Sequence, residues 1–88
     1  MIVMVDENAR AVVTVDGEDL SLAGGDTTEQ IEEIARYLDS KIGFFRQMNP
    51  TMTRRQLLVL TSLNITEELF HLRKEYADLI NMIENEIK

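Results

Sequence analysis

Residues 53–87 read TRRQLLVLTSLNITEELFHLRKEYADLINMIENEI, an unbroken helical pattern over the last two fifths of an 88-residue chain. Leu58, Ser62, Ile65, Leu69, Leu72, Tyr76, Leu79 and Ile83 alternate at spacings of 4 and 3, the seam of a left-handed coiled coil. A second row, Val59, Leu63, Phe70, Ala77, Ile80 and Ile87, is dense early and is diluted later by Thr66, Arg73 and Glu84. The first half is therefore apolar on two faces and the second half on one. At ~1.5 Å per residue such a helix is about 50 Å long, more than the ~30 Å width of a small domain. It is expected to begin within a globule and then to leave it with the seam uncovered. Burying Leu69, Leu72, Leu79 and Ile83 is worth roughly 1.5 to 3 kcal/mol each, so at least a homodimer is expected, its stability dependent on concentration because association itself costs about 4 to 15 kcal/mol.

Upstream, Thr53 to Gln56 forms a capping box, and Met52 is placed to act as a hydrophobic staple on Leu57. Asn49-Pro50 ends a preceding helix, because proline cannot continue one. That helix begins at a second capping box, Thr27 to Gln30, and carries Ile31, Ile34, Ala35, Leu38, Ile42 and Phe45 as an apolar stripe expected to be core. Glu29, Glu32 and Glu33 lie near its start and Arg36, Lys41 and Arg46 later, as the helix dipole favours.

Further back, RAVVTV and EDLSLA flank Asp16-Gly17, a dipeptide suited to a two-residue type I′ turn. The turn predicts the pairs Val15 with Glu18, Val13 with Leu20 and Ala11 with Leu22. One face then shows Ala11, Val13, Leu20 and Leu22, and the other Arg10, Thr14, Asp19 and Ser21. The opening MIVMV reads as an added strand turning at Asp6-Glu7-Asn8 or as a frayed tail, the strand being favoured since five consecutive apolar residues are costly to leave wet.

The expected fold class is α+β: a small N-terminal β-hairpin packed on a helix, then a long C-terminal helix forming an intermolecular coiled coil. Residues 1–68 are expected to form the globular head and residues 69–88 the coiled-coil extension.

Composition bounds the function. The chain has no cysteine, which excludes disulfides and thiolate metal sites. No apolar run approaches the ~20 residues of a membrane span, and the N-terminus lacks a signal-peptide pattern, so a cytoplasmic protein is expected. The net charge of -7 argues against general affinity for nucleic acid or anionic membrane. The charge is uneven: residues 1–33 carry nine acids and one base, residues 36–55 five bases and one acid, and residues 67–88 six acids and three bases. Arg36, Lys41, Arg46, Arg54 and Arg55 make a basic island in an acidic protein, and they are the candidate partner-binding residues.

Nothing here points to catalysis or to a cofactor. His71 is the only histidine, and with Glu67 and Glu75 it spans ~12 Å of straight helix, too far for all three to reach one metal ion. Gly24-Gly25-Asp26 precedes a helix start, but no lysine follows and acids crowd the turn. The five methionines read as gap fillers. Asn64, between the two apolar rows, reads as a buried amide that fixes register or hydrogen-bonds the head.

The stretch Leu60-Thr-Ser-Leu-Asn-Ile-Thr-Glu-Glu-Leu69 resembles the characteristic L-A-A-L-N-I-A-x-E-L segment of the cell division protein ZapA family. Val13, Val15 and Gly17 match the family's approach to its turn, Ala35 to Asp39 its A-x-Y-L-D segment, and Asn49-Pro50 precedes the long helix in both. The resemblance covers about residues 10 to 88, and in length this chain resembles the short form of the family. It implies a non-enzymatic cytoplasmic protein acting at the division site. Such proteins form dimers or pairs of dimers, bind the tubulin-like protein FtsZ and cross-link its protofilaments. Glu18 and Asp19 depart from the pattern, since relatives tend to be basic after the turn glycine. FtsZ is acidic, so the basic island is the expected contact, with Arg46 foremost because a base near the end of this helix fits the family. The alternative is a generic coiled-coil dimerisation subunit of another cytosolic complex.

Overall fold

The computed structural model describes residues 1–4, 8–25 and 27–87. Two compact units divide the chain, Met1–Thr53 and Arg54–Lys88.

The first unit is organised by its hairpin. Strands β2 (Arg10–Val15) and β3 (Glu18–Ala23) follow a short strand β1 (Ile2–Val3). Asp16 and Gly17 have φ of 52° and 79°, both positive as a type I′ turn requires. That geometry locks the register, and the observed pairs Val15 with Glu18, Val13 with Leu20 and Ala11 with Leu22 are those the turn predicts. β3 is the central strand, in the order β1-β3-β2. β1 runs parallel to β3, with Ile2 beside Leu22 and Val3 beside Ala23. The tight turn expected at Asp6-Glu7-Asn8 lies largely outside the described residues, Asp6 and Glu7 among them. A strand added by such a turn would pair with β2, whereas β1 takes the other edge of β3. Its side chains stay exposed, so the pairing is carried by backbone hydrogen bonds such as Met4 N–H to Ala23 O at 2.8 Å rather than by burial of the apolar run.

Helix α1 (Thr28–Met48) starts where the capping box places it: Thr27 has extended backbone and its hydroxyl accepts from Gln30 N–H at 3.0 Å. Its end is equally local, for Asn49 donates to Phe45 O through both its backbone N–H and its side-chain amide. Ile31, Ala35 and Ile42 are buried, and Val13, Ile31 and Ala35 form a core cluster on which Ala9, Ala11, Val15, Leu20 and Leu22 pack. The apolar hairpin face is thus the one that meets α1. One expected core position departs from this. Ile34 is 51% exposed, because at 100° per residue it sits about 80° round the helix from the line through Ile31, Ala35 and Ile42. A stripe of 3 and 4 spacings tolerates that offset in sequence, but a sheet covering only one side does not.

The second unit is α2 (Arg54–Ile87), 34 residues without a break, beginning one residue after Thr53 as its capping box predicts. Leu57 and Thr61 are buried, and Leu60, Asn64 and Ile65 half-buried. Every described residue from Thr66 to Ile87 is exposed.

Candidate interaction surfaces

The expected seam positions of α2, Ile65 apart, are bare in the single chain. Leu58, Leu69, Leu79 and Ile83 are exposed, and Leu72 and Tyr76 reach 64% and 65%. Ile65 is half-buried and Ser62 exposed, the latter with its hydroxyl turned back to donate to Leu58 O at 2.7 Å. Thr61 and Thr66 do the same to Leu57 O and Ser62 O. These internal bonds satisfy the hydroxyls within the helix, so they can enter an apolar contact without losing a partner. Asn64 is half-buried and engaged in an interaction of its own.

The basic island does not form one patch on α1. Steps of 100° put Arg36 and Arg46 about 80° apart on one flank and Lys41 about 140° from each. Arg36 lines a shallow groove with Val12, Val13, Thr14, Glu32 and Ala35. Arg46 reaches the hairpin turn, where its guanidinium pairs with Asp16 at 2.6 Å. Asp16 is nearly buried, and its backbone N–H donates to Asp39 Oδ1 at 2.7 Å. Arg46 therefore fastens the last turn of α1 to the hairpin while remaining 46% exposed. Lys41 lies with its Nζ 5.5 Å from the centre of the Tyr37 ring, in cation–π geometry on the opposite flank. Arg54 and Arg55 are exposed at the start of α2.

Sequence reasoning had no signal for the Arg46–Asp16 pair or for the bond from Asp16 to Asp39. Partners 30 and 23 residues apart follow no local spacing rule. It also passed over the exposed aromatic and apolar flank of α1, where Ile34, Tyr37, Phe44 and Met48 stand in water, Phe44 edge-on to Phe45 with ring centres 5.3 Å apart. The spacing of those four was readable as a second stripe.

Among the described residues, no three histidine, aspartate or glutamate side chains gather closely enough to hold a metal ion. No helix among the described residues is long and apolar enough to cross a membrane.

Comparison with known proteins agrees with this architecture. Residues 12–88 match the family model described as cell division protein ZapA. The cell division protein ZapA of Geobacillus thermodenitrificans is 32% identical over 84 residues, covering 94% of this chain and 92% of that protein. That of Halalkalibacterium halodurans is 30% identical over 80 residues, covering 91% and 84%. Among solved structures, a ZapA mutant dimer from Geobacillus stearothermophilus superposes with a TM-score of 0.74 at 26% identity, covering 91% of this chain and 93% of that one. The chain belongs to the cell division protein ZapA family.

Proposed function

We propose that this protein is a non-enzymatic cross-linker of FtsZ protofilaments, acting as a homodimer in the cytoplasm at the division site. The observation that carries the reading is the seam of α2: apolar at heptad spacing, exposed from Leu69 to Ile83, and on an uninterrupted helix. A second copy is the natural cover, because two such seams bury one another knob into hole. The solved relative is itself a dimer. In this reading residues 1–68 act as the head and residues 69–88 as the coiled-coil extension. Pairing presents the head twice, and two copies of a weak site can bridge two filaments or hold one with avidity.

The head supplies the partner contact through its basic side chains. Arg36 and Arg46 share a flank of α1 and retain exposed charge, Lys41 serves the other flank, and Arg54 and Arg55 open α2. Contact with an acidic filament through such groups is steered at long range and weakened by salt. Co-pelleting with FtsZ and GTP across a salt series tests it. The parent chain is expected to co-pellet progressively less as salt rises, and Arg46→Glu to co-pellet less at every salt. Equal pelleting of parent and Arg46→Glu throughout contradicts the assigned contact.

A further inference from the structure

We infer that the outer edge of β2 is a second self-association surface, on which a second copy of this chain adds its own β2 in antiparallel register. β2 is the outer strand of the sheet, with β3 on one side only. The two-residue turn makes Val15 and Glu18 a hydrogen-bonded pair, so Val13 and Ala11 also direct their N–H and C=O groups at β3. Val12 and Thr14 then direct theirs outward. The carbonyl of Arg10 has the same parity, and it too turns away from β3, accepting from the Thr28 hydroxyl at 2.9 Å. That contact closes the edge at Arg10 and, among the described residues, leaves Val12 and Thr14 as the open stretch. The Val12 side chain is 74% exposed beside it. Open edges of this kind are templates for another strand.

The groove along this edge identifies the occupant. It holds about 150 Å³ and is lined by Val12, Val13 and Thr14 of β2 and by Ala35, Glu32 and Arg36 of α1, the last two one helical turn apart. Neither of those side chains has an ion pair or hydrogen bond among the described residues. A two-fold contact sets a patch against its own rotated copy, so the patch must be self-complementary. Thr28 bonds to Arg10 at the start of α1 and Asp39 to Asp16 further along, so α1 follows β2 in the same direction and sets Glu32 towards Val12 and Arg36 towards Thr14, an acid and a base that meet that condition. A two-fold axis at Val13 brings Glu32 of one copy to Arg36 of the other, twice. The same axis lays Val12 of one β2 opposite Thr14 of the other, where their outward groups exchange hydrogen bonds. A strand from an unrelated partner would match one of these charges but has no reason to match both. Joined to the α2 dimer, on whose reading this consequence rests, the edge links dimers into pairs or longer chains.

Sedimentation velocity of the full chain over a concentration series tests the surface, with Arg36→Glu, Glu32→Arg and the two exchanged together. Each single reversal sets like charges opposite one another and is expected to weaken the step beyond the dimer on the order of tenfold. The exchange restores it, because the pair is again complementary. In a background with Leu72→Asp and Leu79→Asp, the edge alone is expected to leave a weak monomer–dimer step that Arg36→Glu removes. If that background still pairs as strongly as the parent, the α2 reading fails and the edge does not. If single reversals and exchange all associate like their own background, the edge proposal is overturned. Amide exchange of the unaltered chain gives a second reading: Val12 and Thr14 are expected to slow as concentration rises, and rates independent of concentration contradict the proposal.

Discussion

Arg46 Nη2 lies 2.6 Å from Asp16 Oδ1, tying the last turn of α1 to the turn of the hairpin. Asp16 occupies a left-handed backbone conformation at φ 52° and is anchored a second time through its N–H to Asp39. Arg46 is half in water, so the pair is worth about 0.5 to 1 kcal/mol. Arg46→Glu is expected to lower the melting temperature by about 4 °C, and an unchanged melting temperature would show that the pair contributes nothing. Because this residue is also the foremost partner contact, Asp16→Asn separates its two roles. It removes the ion pair, tolerates the left-handed conformation and leaves Arg46 charged. FtsZ co-pelleting is expected to survive Asp16→Asn and to fall with Arg46→Glu. Equal loss in both would assign Arg46 to the fold alone.

Two glycines predict opposite signs. Gly25 has φ 69°, and a Cβ there would stand 2.8 Å from Gln30 Oε1. Gly25→Ala is expected to destabilise by about 1 to 2 kcal/mol. Gly43 lies inside α1 with open space where a Cβ would stand, so Gly43→Ala is expected to stabilise by about 0.5 to 1 kcal/mol. Urea unfolding of the two variants checks the pair, and shifts of the same sign would contradict this account of the backbone.

The cap at Thr27 carries a smaller prediction. Its hydroxyl accepts the Gln30 N–H that no residue of α1 can satisfy, and Thr27→Ala is expected to cost about 1 kcal/mol. Thr27→Ser keeps the acceptor and should recover most of the loss in the same unfolding assay. Failure of serine to recover it would mean that the hydroxyl is not the source.

Replacing Leu72 and Leu79 by aspartate puts charge on a seam that is already exposed within the single chain. The helical circular dichroism of the first unit is therefore expected to persist while the coiled-coil dimer is lost. The parent's melting temperature is expected to rise with concentration and the variant's much less. Identical concentration dependence would place the dimer contact elsewhere.

What could be read from sequence was what local rules govern. Asp16-Gly17 specified the turn, the turn specified every pair of the hairpin, and Thr27 with Gln30 specified where α1 begins. The unbroken helix α2 and its row of exposed apolar residues followed from periodicity alone. Misjudged or missed features depended on what lies around an element. Ile34 fits the stripe of α1 but stands at the margin of what a three-stranded sheet covers. β1 pairs in parallel with β3, a choice no turn dipeptide encodes. The pairing of Arg46 with Asp16 became visible only when residues 30 apart in sequence met.

The central claim is that two heads displayed by one α2 dimer bridge FtsZ filaments. Light scattering of FtsZ polymerising with GTP tests it most directly, comparing the parent chain with the Leu72→Asp, Leu79→Asp variant at equal head concentration. The account predicts a strong rise in scattering from bundles with the parent and far less with the variant, falling to that of FtsZ alone at concentrations below the weak step of the β2 edge. Equal bundling by both, or none by the parent, would contradict it.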